Sequence, residues 1–224
     1  MKDFADITVL VDRSGSMESC REAMEEAYRG FIKEHRKVPS TRITLIQFDG
    51  SNNHEVIYTA SPVRDAGELH IDPRGSTPLI DALVKTIDST GARLRAMDER
   101  YRPNKVIMVV ITDGHENSSH IYKKEELNGR ISKQRGKYNW QFVYLGADIN
   151  AVNDAVSYGF ASGNSAYFVG ENAGFRAAGQ AATQNTMSYV TGQTTGVEAF
   201  SAMQLLNMAH PEEDEKQKKV KQSE

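Results

Sequence analysis

Three separated stretches carry side chains that suit a hard cation: Asp12, Ser14 and Ser16 in "VDRSGSM", Thr77 in "GSTPLI", and Asp113 in "ITDG". Hydroxyl and carboxylate oxygens are what Mg²⁺, Mn²⁺ and Ca²⁺ prefer, whereas zinc or copper would call for thiolate or imidazole at ligand spacing, which these stretches lack. Each stretch also has a purely structural reading. Asp12, Ser14 and Ser16 suit a helix-capping turn, Thr77 suits a cap for a helix starting at Pro78, and Asp113-Gly114 suits an ordinary turn. His115 and Glu116 fall at the rim of the same region, as solvent-facing loop residues or as groups that tune an ion. His35 and His54 read as surface residues rather than ligands.

The elements around these stretches are those of an α/β protein. Ile7 to Val11 is apolar on both faces and reads as a buried central strand that stops at Asp12. Met17, Cys20, Met24, Ala27, Tyr28, Phe31, Ile32 and Val38 recur at steps of three and four, which predicts a helix ended by Pro39-Ser40. Ile43–Phe48 and Glu55–Thr59 are joined by a loop too short for a crossover helix, so they pair antiparallel. Leu79, Leu83, Ile87, Leu94 and Met97 carry a second helix, with Pro78 at its first position. Val106–Ile111 is the most apolar run of the chain and ends in Thr112-Asp113-Gly114, a central strand with an acid at its carboxyl end. A polar helix over Lys123–Arg135, a strand over Trp140–Leu145, a helix through Ile149, Val152 and Val156, and a short strand at Tyr167-Phe168-Val169 follow.

The fold class is therefore a doubly wound, mostly parallel central sheet with one antiparallel edge strand and helices on both faces, Rossmann-like in plan. In such sheets ligands bind beyond the carboxyl ends of the strands, where all three stretches fall. Phe175, Ala178, Ala182, Met187 and Val190 predict a helix that closes the last face, and Val197, Phe200, Met203, Leu206 and Met208 predict another.

Composition narrows the function classes. The chain has 224 residues, 27 Lys and Arg against 30 Asp and Glu, and a net charge of −3, with no basic block to track a phosphate backbone. Nucleic acid is not the expected partner. A core covering about 70% of the exposable surface is within reach of one domain. Cys20 is the only cysteine and reads as a small apolar helix residue. The absence of a signal-like amino terminus and of any apolar run of about 18 residues predicts a cytoplasmic protein with no membrane contact.

With "DRSGSM", "GSTPLIDAL" and "ITDG" in this order and at these separations, the sequence resembles the von Willebrand factor type A (vWA) domain family and its metal-ion-dependent adhesion site, over roughly residues 5 to 170. The single cysteine makes it look like the small stand-alone intracellular members of microbes or their viruses. The resemblance implies that Ser14, Ser16 and Thr77 supply hydroxyl ligands, that Asp12 and Asp113 act mostly through bound water, and that one position is left for an acid from a partner. Neutral hydroxyls leave a divalent ion short of anionic donors, so it stays electrophilic toward an incoming carboxylate.

The expected function is a non-enzymatic module that recognises an Asp or Glu of a partner protein through Mg²⁺, or Mn²⁺ or Ca²⁺ in its place. Two alternatives stand beside it: an adaptor subunit of a larger machine such as an ATPase, or a homo-oligomer formed through residues 171–209; and, less favoured, a metal-assisted hydrolase. Residues 1–170 are expected to form the core domain, 171–209 a helical segment packing on or extending it, and 210–224 a charged mobile tail.

Overall fold

A computed structural model describes residues 4–146, 149–169 and 172–210. Six strands form one sheet in the order β3-β2-β1-β4-β5-β6. They are β1 (Ala5–Asp12), β2 (Thr41–Phe48), β3 (Glu55–Pro62), β4 (Lys105–Ile111), β5 (Gln141–Gly146) and β6 (Ser165–Tyr167). All pairings are parallel except β2 with β3, so the expected antiparallel edge strand is present. The helices are α1 (Arg21–His35), α2 (Leu79–Ala96), α3 (Lys124–Tyr138), α4 (Ile149–Tyr158), α5 (Ala173–Val190) and α6 (Ala202–Ala209).

The register follows from β1, whose eight residues are all buried. Ile7 lies between Ile43 and Ile107, and Val9 between Leu45 and Val109. Side chains alternate across a strand, so Ile7, Val9 and Val11 enter one core with Met24, Tyr28 and Phe31 of α1 and Phe175, Ala178 and Ala182 of α5. Leu10 enters the opposite core with α2, α3 and α4. Asp6 and Asp12 share the parity of Leu10. Asp6 is held by a two-point ion pair with Arg93 of α2, at 2.7 and 2.8 Å. No helix is long and apolar enough to cross a membrane among the described residues.

Several expected boundaries move, each for a visible reason. The first helix does not begin at Met17. Residues Gly15–Ser19 form a 3-10 turn, with Met17 N–H on the Ser14 carbonyl and Cys20 N–H on the Met17 carbonyl, and the α-helix begins at Arg21. Cys20, at 2% exposure, lies between the two, not inside the helix. His35 is not a surface residue. It is fully buried at the end of α1, one turn past Phe31, on which its ring stacks at 4.0 Å.

The last strand lies two residues earlier than expected. Small buried Ser165 and Ala166 pair with β5, and Val169 is half exposed beyond the strand. Val197 and Phe200 are not helical either. Their backbone N–H groups go to Gln141 Oε1 and the Gly163 carbonyl, and Ser201 caps the shorter α6. The expectation for the charged tail falls outside the described residues from 211 onward.

Candidate functional site at the carboxyl edge of the sheet

The three stretches meet. β1 delivers Asp12 next to Phe48 of β2, and β4 ends at Ile111 alongside Val11, so Asp12 and Thr112 leave neighbouring strands at the same height. Asp12 Oδ1 accepts the Ser14 N–H at 2.7 Å, which turns the chain sharply upward. Asp12 Oδ2 accepts the Thr112 hydroxyl at 2.6 Å. Ser14 Oγ lies 3.1 Å from Ser16 Oγ, and Ser16 Oγ donates to Asp113 Oδ1 at 2.7 Å. These contacts form a continuous row of oxygens from Asp113 through the two serines. Ser14 holds the N-cap position of the 3-10 turn but makes no side-chain cap bond there, so the capping-turn reading does not describe its hydroxyl.

Thr77 joins the group through Gly114. A β-carbon at Gly114 would stand 2.8 Å from Thr77 Oγ1 and 3.5 Å from Asp12 Oδ2, so the glycine is the gap across which the Thr77 hydroxyl approaches Asp12. Thr77 does not cap α2. The cap position is Pro78, which offers no side-chain hydrogen bond. Thr77 is 2% exposed, and its hydroxyl makes no hydrogen bond among the described residues.

Electrostatics sets this cluster apart from the rest of the surface. Burial pushes the Asp12 carboxyl up to about 6, against the hydrogen bonds from Thr112 and Ser14 that favour its charged form, and the Asp113 charge adds to the rise. Burial raises Asp113 as well. Among the described residues neither carboxylate has an ionic partner, although the next side chain, Arg13, is a buried cation. Arg13 points the other way, into Asp49 at 2.5 Å, Gln47 at 3.2 Å and Glu55.

Supporting contacts that sequence reading missed hold the loops in place. Arg74 N–H donates to the Arg13 carbonyl at 2.8 Å and Gly15 N–H to the Gly75 carbonyl at 3.2 Å, so the Thr77 loop is stitched to the serine loop. Gly75 has φ +67°, a conformation that glycine adopts without strain. Glu116 is not a rim residue facing solvent. Its carboxylate accepts the N–H groups of Ile80, Ser118 and Ser119 and the Ser119 hydroxyl, all within 2.7–2.9 Å. His115 is half exposed, with Nδ1 3.9 Å from Asp154 Oδ2 on α4. Nothing in local periodicity signals the long-range contacts, because they join backbone groups or a side chain and a backbone group far apart in the chain.

Comparison with known proteins places the fold. The pilus adhesin SpaC from Lactobacillus rhamnosus GG matches with a TM-score of 0.59 at 15% identity, over 84% of this chain and 30% of that one. A von Willebrand factor type A protein from Catenulispora acidiphila gives 0.56 at 15% identity, over 83% of this chain and 43% of that one. Proximal thread matrix protein 1 of the mussel byssus, with a zinc-occupied MIDAS motif, gives 0.50 at 13% identity, over 84% of this chain and 44% of that one. The chain thus spans less than half the length of each. A search of curated proteins found no match. The family model of the von Willebrand factor type A domain matches residues 6–184, which take in the three loops of the oxygen cluster and, except for Ala5 of β1, all six strands, and the chain belongs to that family.

Proposed function

We infer that this protein is a non-enzymatic binding module that recognises an acidic side chain of a partner protein through a divalent cation held by Asp12, Ser14, Ser16, Thr77 and Asp113. Domains of this family generally mediate protein–protein interactions. One observation carries the finer reading: two buried or half-buried carboxylates and three hydroxyls converge at the sheet edge, and among the described residues no cationic side chain is paired to either acid. That donor set fits a hard divalent ion such as Mg²⁺, or Mn²⁺ or Ca²⁺. The likeness to a mussel protein with zinc at its MIDAS motif adds that this fold accommodates a divalent ion.

The chain's own residues divide the work. Ser14 and Ser16 present neutral oxygens, Asp12 is fixed by Thr112 and the Ser14 amide, and Asp113 is oriented by Ser16. Thr77 contributes a hydroxyl that no other described group uses. A bound divalent ion supplies an electrophile for an incoming carboxylate, and the neutral hydroxyls leave it enough positive charge for that.

The test is calorimetric titration of Mg²⁺ into the wild type and into Ser14→Ala/Ser16→Ala, followed by capture of partners in Mg²⁺ and in chelator. A partner held only in Mg²⁺, and lost when its Asp or Glu is changed to the amide, supports the reading. No Mg²⁺ binding by the wild type, or partner binding that survives chelation, overturns it.

A further inference from the structure

We propose that Asn117 is the positioning residue for Thr77, holding the threonine hydroxyl at the cation site through a two-point grip on its backbone. The proposal rests on the metal-binding reading above. Asn117 Oδ1 accepts the Thr77 N–H at 2.9 Å, and the Asn117 N–H donates to the Thr77 carbonyl at 3.2 Å. A single residue therefore takes both backbone hydrogen-bonding groups of Thr77, forty positions earlier in the chain. The residue after Thr77 is Pro78, which confines the Thr77 backbone to extended conformations. Grip and proline together fix the Thr77 backbone, from which its hydroxyl projects.

The grip sits inside a larger substitution of one loop for a helix cap. α2 begins after Pro78, which has no side-chain acceptor to offer, so the first amides of the helix need partners from elsewhere. Loop 115–122 provides them. Glu116 accepts Ile80 N–H at 2.7 Å, and Ser119 Oγ accepts Asp81 N–H at 3.0 Å. In return Asp81 accepts the N–H groups of His120, Ile121 and Tyr122 at 2.9–3.2 Å. Asp113 and Gly114 lead directly into this loop. The Thr77 loop and the Asp113 loop consequently form one body, joined at Asn117, Glu116 and Asp81, while the serine loop meets that body through Ser16 with Asp113 and Gly15 with Gly75.

Glu116 binds an amide of α2, and Asp81 of α2 binds the amides of His120, Ile121 and Tyr122, so removing either disturbs the helix start or the loop packed on it. Asn117 touches Thr77 alone within this network, and its side chain is exposed. It is therefore the point at which the threonine can be loosened with the fold intact.

The experiment is a double-mutant cycle of Asn117→Ala and Thr77→Ala, with Mg²⁺ affinity read by calorimetry and Thr77 amide exchange read by NMR in chelator. Loss of one hydrogen bond to an oriented group predicts that Asn117→Ala weakens Mg²⁺ binding about two- to tenfold. In the Thr77→Ala background the same change should have no further effect, a result that general destabilisation would not give. Thr77 amide exchange should quicken in Asn117→Ala without metal present. Unchanged exchange, or an equal loss of affinity in both backgrounds, overturns the positioning role while leaving the metal reading in place. A wild type that binds no Mg²⁺ overturns both.

Discussion

His35 and Thr186, 151 residues apart, meet across the α1–α5 contact with Nε2 3.2 Å from the threonine Oγ1. Nδ1 of the same ring lies 2.8 Å from the Phe31 carbonyl, which can only accept, so Nδ1 carries the proton, while the single Thr186 hydroxyl proton lies between Nε2 and the Ala182 carbonyl, 2.7 Å from Oγ1. Burial holds this histidine down at about 4, from an ordinary value of 6.5, against the carbonyl contact that favours the proton.

That depression makes stability depend on pH in a defined window. The unfolded chain protonates His35 below about pH 6.5 and the folded chain only below about 4, so the contribution is complete above 6.5 and is lost as pH falls toward 4. The loss amounts to roughly 3 kcal/mol across the window. Urea melts of wild type and His35→Gln from pH 4 to 7 should show a steeper acid decline in the wild type. Parallel curves would show that the ring is not buried in its neutral form.

Gly114→Ala tests the gap between Thr77 and Asp12. The added methyl would stand 2.8 Å from Thr77 Oγ1, so the threonine must shift or the loop must open. Overpacking of this size costs about 1–3 kcal/mol. Mg²⁺ affinity should fall with only a modest drop in melting temperature. Wild-type affinity in the variant would place the Thr77 hydroxyl outside the ion's reach.

Ser14→Ala/Ser16→Ala removes the two hydroxyls proposed as neutral ligands while leaving both carboxylates. At 100 times the dissociation constant, an ion bound only by the folded state stabilises it by about 2.7 kcal/mol. Melts with and without Mg²⁺ should show that gain in the wild type and not in the double variant. An equal gain in both would put the ion elsewhere.

How much of this was legible in the sequence depends on whether the signal is local. β1 and β4 read correctly because a parallel strand covered on both faces is a continuous apolar run, and the acid ending each run marks the sheet edge. Asp12, Ser14, Ser16 and Asp113 come together as their strand ends imply. His35 was misread although it is four residues past Phe31 and seven past Tyr28, both on the buried face of α1; its polarity outweighed its spacing. The anchoring of Thr77 by Asn117 and of Ile80 by Glu116 is not legible because the partners are backbone amides, and a backbone group has no letter in the sequence. Val197 and Phe200 have helical spacing, yet backbone hydrogen bonds to Gln141 and Gly163 hold them outside any helix.

The last prediction concerns α5, which lies against α1 as part of the same core as β1 and β4. The two helices cross at Gly179 and Ala27 so closely that a β-carbon on Gly179 would come 2.7 Å from the Ala27 β-carbon. Gly179→Ala must therefore push the helices apart, at a cost of about 1–3 kcal/mol, even though alanine favours a helix by roughly 1 kcal/mol over glycine. Ala27→Gly alone should cost roughly 1 kcal/mol through lost helix propensity. Combined in one chain, the two changes move the methyl group from one helix to the other, and the clash disappears. The double variant should then be more stable than Gly179→Ala, with a coupling energy of about 1 kcal/mol or more that favours the pair. Thermal and urea melts of the four chains measure it. Additive effects would mean that α5 does not pack on α1 at this crossing, and that removing α5 would expose far less of the Met24 and Phe31 face than its buried contacts imply.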